Sequence, residues 1–90
     1  MLSMLFSPTR ALIRELGRKE PAEEALKSLS RLLEDQASRA DVTLGQLWKA
    51  LDLSDGLLER LGDDDPRKPL IRQINRSASR EIQQRNLRGV

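Results

Sequence analysis

The chain has 90 residues and a formal net charge of +2, with no cysteine, no histidine, one Trp, one Phe and no Tyr. That length holds one domain with a thin core, and the missing residue types exclude disulfides, thiol catalysis, thiolate zinc sites and imidazole acid–base chemistry. Leu, Arg, Ala and Glu, all good helix formers, are abundant while Val and Thr are scarce, which predicts an all-α fold: a small single-domain bundle of four or five helices over residues 1–90.

Met1-Leu-Ser-Met-Leu-Phe6 is apolar, but it has no basic flank and is shorter than a signal core. No run reaches the about 18 apolar residues of a membrane span. The expectation is a cytoplasmic protein with no membrane partner.

The first helix is predicted over 8–16. Ser7 suits an N-cap, Pro8 suits the first helical position and Gly17 is a stop. Ala11, Leu12, Ile13 and Leu16 form its apolar side. The second runs over 21–39, again opened by a proline. Ala22, Ala25, Leu26, Leu29, Leu32, Leu33 and Ala37 recur at three- and four-residue steps, and Glu23 with Lys27 makes a favourable pair on the solvated side. Thr43-Leu-Gly-Gln46 matches the capping-box pattern, opening a third helix over 44–51 whose apolar positions are Leu44, Leu47, Trp48 and Leu51. After a short break, Ser54 is placed to cap a fourth helix over 55–61, stopped by Gly62. Asp63-Asp64-Asp65-Pro66 then reads as a solvated turn that puts negative charge ahead of the next helix. The fifth helix spans 69–87, with Leu70, Ile71, Ile74, Ala78 and Ile82 on its apolar side.

Residues 43–61 also resemble the helix-turn-helix of phage-repressor-type regulators. Leu47, Leu51, Leu53, Leu58 and Leu61 fall where that family packs its two helices together, and Ser54 falls where the second helix is capped. Trp48 stands where the family has a small Ala, and Asp52 replaces the turn Gly. The resemblance implies a DNA-binding regulator whose second helix enters the major groove. Arg60 would then be the groove reader, and the fifth helix would clamp phosphates.

Charge along the chain is sorted. Residues 66–90 carry seven basic side chains against the single acid Glu81, and residues 41–65 carry seven acids against Lys49 and Arg60. Within the basic pole, Lys68, Arg72, Arg76 and Arg80 follow at four-residue steps and so share one side of a helix, with Arg85 and Arg88 extending the positive region. Like charges at this spacing disfavour the isolated helix by a few tenths of a kcal/mol each. An acidic surface would relieve them, and so would a phosphate backbone.

No spacing assembles a nucleophile, a base and oxyanion donors, no glycine-rich phosphate loop is present, and the Asp63–Asp65 run lacks the alternating ligands of a calcium loop. The expectation is therefore a non-enzymatic regulatory or adaptor protein without cofactor or metal. It would act by binding another protein through charged helical surfaces. Lys68, Arg72, Arg76, Arg80, Arg85 and Arg60 are the candidate contacts to a protein or a nucleic acid. Trp48, Leu57, Asp55 and Glu59 are the candidates for an interface on the acidic hairpin. DNA binding is the first alternative. The second is a structural subunit whose opposed poles pair with another copy, head to tail or across a two-fold axis.

Overall fold

The computed structural model describes residues 8–36 and 42–88 and contains four helices: α1 (Pro8–Leu16), α2 (Glu23–Gln36), α3 (Leu44–Arg60) and α4 (Arg67–Arg88). The fold is all-α, as the composition predicts. Ser7, Met1–Phe6 and the stretch 37–41, which includes the expected end of the second helix, lie outside the described residues.

α1 has the bounds its sequence predicts. Its buried side is Thr9, Leu12 and Leu16, one turn apart as the 3.6-residue period requires. Gly17 follows it, and the Gly17 N–H still donates to the Ile13 carbonyl at 3.0 Å. The corner to α2 is tied by Glu15, whose Oε2 accepts the Ala22 N–H at 2.7 Å. Pro21, buried, precedes α2, and Leu26 and Leu33 point from that helix into the core.

α3 opens on the capping box expected of it. The Gln46 N–H donates to Thr43 Oγ1 at 3.1 Å, and the Thr43 N–H donates to Gln46 Oε1 at 3.0 Å. It then runs without interruption for 17 residues, which corrects the expectation of two helices over 44–51 and 55–61. Ser54 caps nothing. It is fully buried, its Oγ–H donates to the Leu51 carbonyl at 2.9 Å one turn back, and its oxygen accepts from Asn75 Nδ2 at 2.9 Å. A serine bonded back along its own helix satisfies its hydroxyl without breaking the backbone ladder.

α4 begins two residues before the predicted start. Asp65 sets its first turn: its Oδ1 accepts the Arg67 N–H at 2.9 Å, and its carbonyl accepts the Lys68 N–H at 3.0 Å. Pro69 sits in that turn, where the backbone N–H groups have no intrahelical partner to lose.

In space α1 touches α2 and α3, and α4 touches α2 and α3. Among the described residues, neither α1 with α4 nor α2 with α3 is a neighbouring pair. The helices therefore form a closed ring around one core. Leu12, Leu16, Leu26, Leu33, Val42, Leu47, Ala50, Leu57, Ile71, Ile74, Ala78 and Ile82 fill it. With α3 and α4 each committed to that core, the opposite sides of both helices face outward together.

Candidate interaction surface

The inward positions of α4 decide what its outward side presents. Ile71, Ile74, Ala78 and Ile82 are buried, so Arg72, Arg76 and Arg80 stand on the far side of the helix, and all three are exposed. Among the described residues no carboxylate lies within ion-pair distance of any of them. The charge of Arg72 adds only the smallest of the influences on the Asp63 carboxyl. The three arginines form a ridge between two shallow grooves. Gln73 and Ser77, with Glu34 of α2, line one groove; Asn75, Ser79 and Gln83 line the other. Gln73 Nε2 donates to Glu34 Oε2 at 2.8 Å, which holds that acid against α4 in the groove beside the ridge.

Two residues of the predicted ladder are used inside the molecule. Lys68 Nζ donates to Asp63 Oδ1 at 2.8 Å and to the Leu61 carbonyl at 3.3 Å, which ties the α3–α4 turn. Asp63 is correspondingly held below the ordinary carboxylate range, first by that hydrogen bond and then by the charge of Lys68. Arg85 Nε donates to Glu81 Oε2 at 3.0 Å. Glu81 is buried, and its carboxylate is reached from the same helix one turn on. Lys68 and Arg85 are therefore structural, and the outward set contracts to Arg72, Arg76 and Arg80.

Arg67 is the functional-looking cation that charge counting did not single out. Its guanidinium donates to Asp65 through Nε at 3.0 Å and Nη2 at 2.7 Å, to Glu20 Oε1 at 3.1 Å and to the Pro21 carbonyl at 3.0 Å. It thereby fastens the start of α4 to the α1–α2 corner. The paired hydrogen bonds raise the Arg67 pKa and hold the Asp65 carboxyl at about 2, against an ordinary 3.8, with the Arg67 side chain the first cause and its backbone N–H the second. The sequence signal was present in Asp65-Pro66-Arg67, an acid followed by a proline at a helix start.

On α3 the proposed hairpin interface divides. Leu57 is 2% exposed and belongs to the core, so it offers nothing to a partner. Trp48 is 52% exposed and Leu44 40%, one turn apart on the outward side. Asp52, Asp55 and Glu59 are exposed beyond them. Asp55 is also anchored, because Asn75 Nδ2 donates to its Oδ1 at 2.7 Å. That asparagine, which reaches the Leu51 carbonyl, Ser54 Oγ and Asp55 Oδ1 on α3, is a second residue sequence reasoning passed over. Arg60 is exposed at the end of α3. It lines a separate cleft with Leu16, Arg18 and Lys19 between α1 and α3, which the outward-facing Asp52 borders at its edge.

Among the described residues no three acidic side chains converge on one point where a cation could be held, and no helix is long and apolar enough to cross a membrane. The fold and surface define an all-α domain with an arginine ridge on its last helix and an acidic, partly apolar stripe on the helix beside it. No protein-family model matches the chain, and no curated protein or solved structure is significantly similar to it.

Proposed function

We propose that the chain is a small, non-enzymatic regulatory or adaptor protein that binds another protein through the arginine ridge of α4. The observation that carries this reading is that Arg72, Arg76 and Arg80 stand outward at one-turn intervals and that, among the described residues, no carboxylate forms an ion pair with any of them. Asp65 and Glu20 hold Arg67, Asp63 holds Lys68, and Glu81 holds Arg85. Among the described residues no ion pair relieves the mutual repulsion of the ridge, and an acidic surface at about 6 Å repeat would relieve it.

A protein suits this ridge better than a nucleic acid. Asp52, Asp55 and Glu59 are exposed on the adjacent helix, where they would repel a phosphate backbone laid across the same face. The grooves beside the ridge contain no aromatic ring for base stacking. α3 is one helix from Leu44 to Arg60, so it presents no separate recognition helix to a groove.

The test is charge reversal. The variant Arg72→Glu, Arg76→Glu, Arg80→Glu is expected to keep the helical circular dichroism of the parent and lose partner capture. Undiminished capture by that variant sinks the reading. A parallel titration of duplex DNA at about 50 and about 200 mM salt checks the alternative. Tight binding that collapses over that range assigns the ridge to phosphates instead.

A further inference from the structure

The complement of the arginine ridge lies on the same molecule, one helix away. Along the exposed side of α3 stand Leu44, Trp48, Asp52, Asp55 and Glu59. Their steps of four, four, three and four residues keep them in one line. That line runs from apolar to acidic in chain direction. On α4 the exposed line is Arg72, Arg76, Arg80 and, two turns further, Leu87, which is 79% exposed. It runs from basic to apolar.

α3 and α4 are neighbours joined by residues 61–66, so they run antiparallel. The hydrogen bonds from Asn75 to Ser54 and Asp55 fix their register. Asp55 is thus roughly level with Arg76. One turn to either side, Glu59 is roughly level with Arg72 and Asp52 with Arg80, and Leu44 comes roughly level with Leu87. Yet none of Asp52, Asp55 and Glu59 forms an ion pair with the ridge inside the chain. The two stripes lie side by side on one face of the hairpin.

We infer that this face binds a second copy of the chain about a two-fold axis parallel to α3 and α4. Rotation about such an axis preserves height along the helices and exchanges left for right. The α3 of one copy then lies over the α4 of the other, antiparallel to it and in the register already set within each chain. Glu59 meets Arg72, Asp55 meets Arg76, Asp52 meets Arg80, and the apolar Leu44 and Trp48 close over Leu87. Every contact occurs twice, as an isologous interface requires. The inference rests on the reading that the ridge binds protein, and it names that protein as the chain itself.

The test is sedimentation equilibrium of the full chain across the micromolar range at about 50 and about 500 mM salt, where exposed pairs are progressively screened. A dimer is expected at the lower salt, with a dissociation constant rising about tenfold or more at the higher. Two variants then test the face. Arg72→Glu, Arg76→Glu, Arg80→Glu sets acid against acid, and Asp52→Lys, Glu59→Lys sets base against base. Asp55 is left in place because it holds Asn75. Each variant alone is expected to be monomeric, and mixing them is expected to restore a heterodimer, which misfolded chains would not do.

A monomer at every salt and concentration overturns the inference. So does a wild-type dimer whose two variants stay dimeric alone or fail to pair when mixed. A monomer whose capture of some other acidic protein still depends on the three arginines overturns self-pairing and leaves the protein-binding reading standing. A monomer that binds duplex DNA with steep salt dependence overturns both.

Discussion

Asp65 shows how a single carboxylate writes itself into the acid stability of this domain. Its carboxyl titrates at about 2 in the folded chain and at the ordinary 3.8 without Arg67 beside it. A group whose folded value is depressed adds stability that is complete above the unfolded value and is lost as pH falls through the folded one. The contribution of Asp65 is therefore intact above about 3.8 and drains away toward about 2. Asp65→Asn retains a side chain able to cap α4 but removes the charge. It is expected to be less stable than the parent at neutral pH and to lose less as the solution is acidified. Urea midpoints at about pH 5 and about pH 2.5 measure this, and equal losses in the two proteins would refute it. The same residues show the limit of reading charge from sequence. Lys68, Arg72, Arg76 and Arg80 are equivalent in spacing, yet Lys68 lies over the turn and finds Asp63, while the others do not. Arg85 is drawn off by Glu81, whose burial no count of charges reveals.

α3 is the element on which sequence and structure part. The capping box, the α1 bounds and the apolar side of the last helix were all legible, because each depends on neighbours within one or two turns. The expected break at 52–54 was not real. Asp52 and Ser54 prefer turns and caps, but tertiary contacts outweigh a weak local preference. The information was nonetheless in the chain: Leu47, Ala50, Ser54 and Leu57 are all buried and stay in helical phase across the supposed turn. Gly56 is the residue of weakest helix propensity in the second half of α3. It is exposed, and a Cβ built on it meets nothing within 4 Å. Gly56→Ala is therefore expected to stabilise the domain by about 0.5–1 kcal/mol through the lower entropy of the unfolded chain. A thermal melt that shows no gain would mean that α3 bends at this point in solution.

At the scale of the whole molecule, stability comes from one core shared by every helix. Ile74 is fully buried there. Ile74→Ala is expected to cost about 2–5 kcal/mol, a large part of the 5–15 kcal/mol typical of a domain, and to lower the melting temperature of all four helices in one transition. Separate transitions in far-ultraviolet circular dichroism would contradict a single core. The ring order of the helices, with α2 beside the last helix and not beside the next, had no signature in the sequence, since periodicity identifies an apolar side but not what it packs against. That order has a consequence for the ribosome. Emerging in chain order, α1 and α2 can meet at once, and α3 can join α1, but α2 and α3 each keep an uncovered flank until α4 is made. The clasp from Arg67 to Glu20 and Pro21 spans 47 and 46 residues, so the α1–α2 corner is fastened only once the start of α4 is made. A nascent chain stalled before α4 would present those bare flanks to chaperones and proteases, and the domain would be completed only once α4 had emerged.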